Sequence, residues 1–258
     1  MSLALHAEWT KLRTIAATGW LLLSAIALTV ALTVAAVAAT KYAATSAVED
    51  TTKLSLTGIY LGQAIIAGLA VTLIGSEYST GMITVTLAAM PRRTVMLAAK
   101  ATILAALTVA AGTIAVLGSI LAGRLILPRN GFTNAHGYPT LSLAHEPTLR
   151  AASGTVVYLT LIALLSLGIA TAVRDSATAI GLVLGLLFLF PIIEHVVTTP
   201  TWQRHLEQIG PMTAGLAIEN TANTHHLPIG PWSGLAVIAA WAAGALLAGG
   251  LLLRVRDA

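Results

Sequence analysis

The chain has no cysteine and little charge. Only 9% of its 258 residues are charged, whereas about 25% are charged in ordinary soluble domains. The lack of cysteine excludes disulfides, thiolate metal sites and cysteine nucleophiles. With 57% hydrophobic residues and a mean hydropathy of +0.86, the composition predicts an integral membrane protein.

Six long stretches without any charged side chain predict where the chain crosses the membrane. They are Thr14 to Thr40, Leu54 to Ser76, Ala101 to Gly123, Ala151 to Val173, Ser176 to Ile193 and Asn220 to Leu253. A helix rises about 1.5 Å per residue and the hydrocarbon core is about 30 Å thick, so roughly 20 apolar residues span it. Backbone amides in lipid must be paired within their own segment, and the stretches lack the alternation of barrel strands, so the spans should be helices.

We therefore predict an all-α membrane protein with one transmembrane domain over residues 1–258. Its spans are placed at 17–40, 55–76, 97–123, 151–173, 176–197 and 232–253. The first apolar run is longer than the hydrophobic region of a signal peptide, which predicts a retained span.

The basic residues predict the orientation. Eight lie on the side of the N-terminus and six on the other, and the first group occupies shorter segments: Lys11, Arg13, Arg92, Arg93, Lys100, Arg174, Arg254 and Arg256 against Lys41, Lys53, Arg124, Arg129, Arg150 and Arg204. Lysine and arginine near span ends favour the cytoplasmic side. Both termini are therefore expected in the cytoplasm of a multi-pass cell-membrane protein.

Two segments on that side have patterns typical of interfacial helices. Leu5, Trp9 and Leu12 share a helical face, while Lys11 and Arg13 lie towards another. This spacing predicts a helix in the membrane interface, with a plain lead into the first span as the alternative.

The loop between the second and third spans contains the second such segment. It begins at Glu77, turns at Gly81, continues through residues compatible with a helix and ends at Pro91, Arg92 and Arg93. A short helix held between two spans can transmit a push from a cytoplasmic partner, although a passive loop fits the residues equally well.

Three motifs carry a resemblance to a known family. Glu8-Trp9-Thr10-Lys11-Leu12-Arg13, then Glu77-Tyr78-Ser79-Thr80-Gly81-Met82-Ile83, then Leu87 followed by Pro91-Arg92-Arg93 and Lys100 resemble permease subunits of ABC-2 type ABC transporters, in their actinobacterial style. Matching of single residues is confined to roughly residues 8–100, while the six-span plan covers the chain. Thr84 departs from the basic residue that many relatives carry there.

The resemblance implies a coupling helix after the second span that seats in a separate ATPase subunit. Glu77, Tyr78, Gly81 and Met82 would begin this element and Pro91, Arg92 and Arg93 would end it. ATP and magnesium would bind the ATPase, with no cofactor or metal in this chain, which has no Walker-type loop. The resemblance also implies short re-entrant helices between spans five and six, and a homodimer seam near span five.

Glycines four residues apart allow helices to approach closely. Gly181 and Gly185 in span five form such a pair and are the candidate dimer seam, and Gly58 and Gly62 form another. Packing within one subunit is the alternative for both pairs.

The expected function is the permease half of an ATP-driven exporter of a hydrophobic or amphipathic compound, such as a drug, a peptide antibiotic or a lipid. Efflux of this kind would confer antibiotic resistance. The expected partners are an ABC ATPase, a second copy of the permease and membrane lipids, without nucleic acid.

Two other classes remain open. One is a membrane-bound hydrolase that uses Glu194 and histidines of the outer loops, although His136, His145, His205, His225 and His226 are scattered and are interpreted as solvated. The other is an ion-coupled secondary transporter, which spans nearly empty of carboxylates disfavour. Lys100 is interpreted as snorkelling to the interface, and Glu194 and His195 as interfacial residues beyond a span that ends at Pro191.

Overall fold

All regular elements in the described part of the chain are helices. The computed structural model describes residues 16–43, 49–82, 93–222, 224 and 227–255. The α-helices are α1 (Ala16–Ala39), α2 (Thr51–Ser55), α3 (Ile59–Ser79), α4 (Arg93–Ile126), α5 (Glu146–Val173), α6 (Ser176–Val196), α7 (Pro200–Ile209), α8 (Pro211–Gly215) and α9 (Pro231–Val255). Three 3-10 turns cover Leu127–Asn130, Asn134–His136 and Leu216–Glu219.

Six of these helices, α1, α3, α4, α5, α6 and α9, are long and apolar enough to cross a membrane. Their outward surface is apolar: Trp20, Leu182 and Leu251 are 72%, 52% and 60% exposed, as expected for side chains that face lipid rather than water. These features confirm the prediction of an all-α, multi-pass membrane protein.

Some boundaries differ from the prediction because charged residues lie inside the helices. The α3 helix continues to Ser79 rather than residue 76, and α4 begins at Arg93 rather than residue 97. The extension of α3 includes Glu77, which forms an ion pair with Lys100 of α4, described below. The α5 helix begins at Glu146, with Pro147 in its first turn, where proline fits without loss of a helical hydrogen bond.

The α5 helix is the centre of the bundle. It packs against α3, α4, α6 and α9, while α1 packs against α3 and α4. Over an 18-residue apolar stretch of each helix, about half of the residues are buried in α3, α4 and α5, against 22%, 17% and 22% in α1, α6 and α9. The last three helices therefore form the outer wall.

The Gly58 and Gly62 pair serves packing within the subunit. A Cβ atom at Gly58 would lie 1.9 Å from the carbonyl oxygen of Thr29, and one at Gly62 would lie 2.3 Å from the Thr29 hydroxyl. Only glycine permits this approach of α3 to α1.

The bundle has two ends, named here by what they contain. The terminal end holds the start of α1, the junctions at Ser79, Arg93 and Arg174, and the end of α9. The loop end holds the two long connections, before α5 and before α9. At the loop end, the Asn130 amide donates to the carbonyl oxygens of Val37 (2.8 Å) and Thr40 (3.0 Å) and so satisfies acceptors left open where α1 finishes.

The connection between α6 and α9 folds back against the bundle. The helices α7, α8 and α9 begin at Pro200, Pro211 and Pro231, where the fixed φ of proline suits a first helical turn. The residues Pro211–Gly215 and the turn Leu216–Glu219 pack against α9, and the turn also packs against α5. We call Pro211–Ala222 the re-entrant segment; the resemblance implied short helices in this connection, and the structure has them.

Candidate functional site

The terminal end joins both sides of the predicted coupling segment to other helices. Glu77 in the last turns of α3 and Lys100 in α4 form an ion pair, with Lys100 Nζ 2.8 Å from Glu77 Oε1. Both residues are buried, at 7% and 2% exposed. The interpretation that Lys100 snorkels to the interface is therefore wrong, because a buried carboxylate from the neighbouring helix neutralises its charge.

Two further contacts tie this end together. The guanidinium of Arg174, at the end of α5, lies 5.7 Å from the centre of the Tyr78 ring, within the range of a cation–π contact. Arg93 at the start of α4 donates a hydrogen bond from Nη1 to the carbonyl oxygen of Leu253 in α9. The residues that enter and leave the connection of residues 80–92 are thus fixed to α4, α5 and α9.

Between these anchors the chain turns and becomes exposed. Gly81 has a φ of +70°, in the left-handed region that glycine adopts without strain, and Met82 is 49% exposed. Pro91 and Arg92 lie outside the described residues, as does the predicted coupling helix. The same holds for the interfacial-helix residues Leu5, Trp9, Lys11, Leu12 and Arg13.

A polar cluster inside the bundle was not predicted from the sequence. The Tyr158 hydroxyl donates to Gln63 Oε1, and Gln63 Nε2 lies 3.3 Å from the sulfur of Met212. Near them, Thr155 Oγ1 donates to Glu219 Oε1 at 3.3 Å. A single glutamine within the apolar second span was the available signal for Gln63, whereas the burial of Glu219 depends on the fold-back of the connection before α9.

Asp50 fixes the re-entrant segment to the start of α2. Its carboxylate accepts hydrogen bonds from the backbone of Thr52 and Lys53, both at 3.1 Å, and so caps α2. It also accepts from the Thr221 backbone (2.5 Å) and hydroxyl (2.7 Å) and from the backbone of Ala222 (2.8 Å). One carboxylate thereby holds two connections of the loop end against each other.

A polar cavity of about 410 Å³ lies at the loop end, lined in part by Lys53, Glu194, His195 and Glu207. The α6 helix continues through Pro191 to Val196, so Glu194 and His195 belong to the helix rather than to a loop beyond it. Partial burial and the nearby Glu194 carboxyl raise the pKa of Glu207.

The histidines in the described ranges make local contacts. His195 Nδ1 hydrogen-bonds to the carbonyl of Pro191 in its own helix at 2.7 Å, and the His136 ring stacks on Tyr42. Within the ranges that the structure describes, no group of three histidine or carboxylate side chains could hold a metal ion. His225 and His226 lie outside those ranges.

Gly181 and Gly185 lie on an open face of α6. A Cβ atom at either position would meet nothing within 4 Å. Packing within the subunit therefore does not explain this pair, in contrast to Gly58 and Gly62, and the face is open to lipid or to a second copy.

Comparison with known proteins assigns no family. No protein-family model matches the chain, and no curated protein matches it. The case for a function therefore rests on the residues and their geometry.

Proposed function

We propose that this chain is the membrane-spanning permease subunit of an ATP-driven transporter of the ABC-2 type, coupled to a separate ATPase subunit. The observation that carries the proposal is the anchoring of the connection between α3 and α4. Its entry is fixed by Glu77 to Lys100 in α4, and its exit by Arg93 to Leu253 in α9. A force applied to residues 80–92 would thus reach several spans at once, which a passive loop does not require.

The proposed partner contact lies at Gly81 and Met82, because these residues are exposed while Glu77 faces the bundle. Glu77 is accordingly assigned to anchoring the segment rather than to touching the ATPase. Replacing Glu77 by lysine would set two buried ammonium groups together, so a loss of function in that variant would report on folding.

The test co-expresses the full chain with an ABC ATPase subunit from the same organism. We expect the purified permease alone to hydrolyse no ATP, and the complex to hydrolyse it. Met82→Glu should weaken co-purification of the ATPase and leave membrane insertion intact. The matched control is Asn134→Glu, which places the same charge at an exposed position of the loop end. ATP turnover by the isolated chain, or an unchanged complex with Met82→Glu, would refute the proposal.

The direction and cargo are proposed together. An apolar groove of about 670 Å³ between α5, α6 and α9, lined by residues such as Leu165, Leu186 and Trp241, has the size of pockets that take drug-sized molecules. Its apolar lining supports a hydrophobic or amphipathic cargo, and export of that cargo is part of the proposal. A dimer of permeases through α6 is supported by the open face at Gly181 and Gly185.

Orientation has its own measurement. The chain has no native cysteine, so single cysteines report without background. In intact cells we expect Asn134→Cys at the loop end to react with an impermeant maleimide and Ser79→Cys at the terminal end to be protected; the reverse pattern would place the termini outside.

An ion-coupled secondary transporter is the second candidate, because the structure removes one argument against it. Glu77 and Glu219 are both buried, so carboxylates do lie among the helices. Loss of transport on collapse of the ion gradient, with ATP and the ATPase complex intact, would favour this class.

A further inference from the structure

We propose that Glu219 is a proton-binding site, and that loss of its proton releases the re-entrant segment from the helices that bury it. Glu219 ends the turn Leu216–Glu219 and is 0% exposed. Its Oε1 accepts one hydrogen bond, from Thr155, and its Oε2 is buried without a hydrogen-bond partner among the described residues. An ionised carboxylate would need more donors than this environment supplies.

The charges around Glu219 do not replace the missing donors. Lys53 attracts the carboxylate from a distance, without an ion pair between the two in the described part of the chain, and Asp50 repels it. Burial is the largest influence and raises the pKa of Glu219 to about 8.

The other elements packed on the turn add no compensating cation. The α8 helix has no titratable side chain, and α9 has none between Pro231 and Leu253. Among the residues that the structure describes, the remaining titratable groups near this region are Tyr60 of α3, and Tyr158 and Arg150 of α5. Arg150 is engaged with the backbone, since its Nη2 donates to the carbonyl of Asn220 at 2.6 Å.

Ionisation of Glu219 would act on the segment because its side chain is fully buried where the turn packs against α5. A Cβ atom at Gly154 of α5 would lie 2.1 Å from Ile218, the residue before Glu219. The carboxylate can therefore gain water only if the turn withdraws from α5.

Protons can reach the site from the loop end. Leu216 and Ala217 before Glu219, and Asn220 after it, line the polar cavity that also contains His195 and Glu207. A segment that loosens would open into this cavity, on the side where an exporter must release its cargo.

The test measures exposure of the segment in the full chain, reconstituted in lipid without any partner, so its outcome is independent of ATPase binding. The reporter is Ala214→Cys, because Ala214 lies in α8 and is 0% exposed. Its labelling rate with a maleimide is divided by the rate of the same reporter in Glu219→Gln, which imitates the protonated acid, at the same pH. This ratio cancels the pH dependence of the thiol itself.

We expect a ratio near one at about pH 6, where about 1% of Glu219 is ionised, and a rise of the ratio through about pH 8 to a plateau near about pH 9, where about nine-tenths is ionised. Asn134→Cys, in an exposed turn, should give a ratio near one at both values. A ratio for Ala214→Cys that does not change with pH would overturn the proposal.

An infrared titration keeps the proposal testable if Glu219→Gln does not fold. The titration uses the Glu207→Gln variant. This substitution removes the other carboxyl in the connection between α6 and α9 whose pKa is raised by burial. We expect the carbonyl band of a protonated carboxylic acid at about pH 6, and its loss through about pH 8. Absence of the band at about pH 6 would show that Glu219 is ionised and would overturn the proposal.

Discussion

Removing either partner of the Glu77–Lys100 pair should strongly destabilise the protein. The two charged atoms are 2.8 Å apart, and at an effective dielectric constant of about 20 their attraction is about 6 kcal/mol before the cost of desolvation. Exposure of only 7% and 2% leaves little screening by water. The net contribution of the pair is smaller, because two ions must first leave water.

The larger effect comes from the charge that remains. Lys100→Met would leave the Glu77 carboxylate buried without its cation, and breaking a buried pair in this way costs about 3–5 kcal/mol. The double variant Glu77→Gln with Lys100→Met leaves no charge behind, so it should be more stable than Lys100→Met alone. A double-mutant cycle of the wild type, Glu77→Gln, Lys100→Met and the double variant should give a coupling energy of about 2 kcal/mol or more between the two side chains.

The assay is unfolding in mixed micelles as the fraction of denaturing detergent rises, followed by tryptophan fluorescence. Lys41→Met is the matched control, since Lys41 is exposed at the loop end, and it should change the free energy of unfolding by less than about 0.5 kcal/mol. If Lys100→Met is no less stable than Lys41→Met, or if the double variant is as unstable as the sum of the two single variants, the two charges do not stabilise each other.

Three further outcomes follow from other contacts. Asp50→Asn should destabilise by about 1–3 kcal/mol, since charged hydrogen bonds are weakened at several donors, whereas the exposed neighbour change Glu49→Gln should have little effect in the same unfolding assay. Gly62→Val should prevent folding or lower the melting temperature strongly, whereas Gly181→Val should leave the melting temperature of the monomer unchanged and reduce only the dimer fraction in light scattering. Folding raises the pKa of Glu219 from 4.5 to about 8, so its contribution to stability is full below about pH 4.5 and is lost as the pH rises to about 8; Glu219→Gln should remove that part of the pH dependence of the melting temperature.

The spans were predictable because the physics of a single helix in lipid determines them. Length and the absence of charge located all six. The prediction ended the second span at residue 76 because it treated the charge of Glu77 as a boundary, whereas the helix continues to Ser79. Two charges on neighbouring helices can neutralise each other, and pairing of this kind becomes visible only when the helices are packed.

The interior of the site was not predictable for the same reason. Gly58 with Gly62 and Gly181 with Gly185 have the same spacing, yet one pair is packed against Thr29 and the other is open. Likewise Glu194, near the end of α6, and Glu219, in the connection after it, are both carboxylates at the loop end, but of the two only Glu219 is fully buried. In both comparisons the outcome depends on which residues of other helices pack nearby. The spacing of residues along the chain does not show which residues those are.

The α5 helix gives the two ends of the bundle a mechanical connection. From Arg150, which binds the re-entrant segment, to Arg174, which lies over Tyr78 beside the connection between α3 and α4, it extends about 36 Å. Near its terminal end, a Cβ atom at Gly168 would lie 2.5 Å from the backbone of Ala245 in α9, so α5 and α9 are too closely packed to slide independently. Because packed helices shift as rigid bodies rather than deforming continuously, we infer that a displacement at Tyr78 moves α5 and α9 together and changes the contacts that hold the re-entrant segment at the other end.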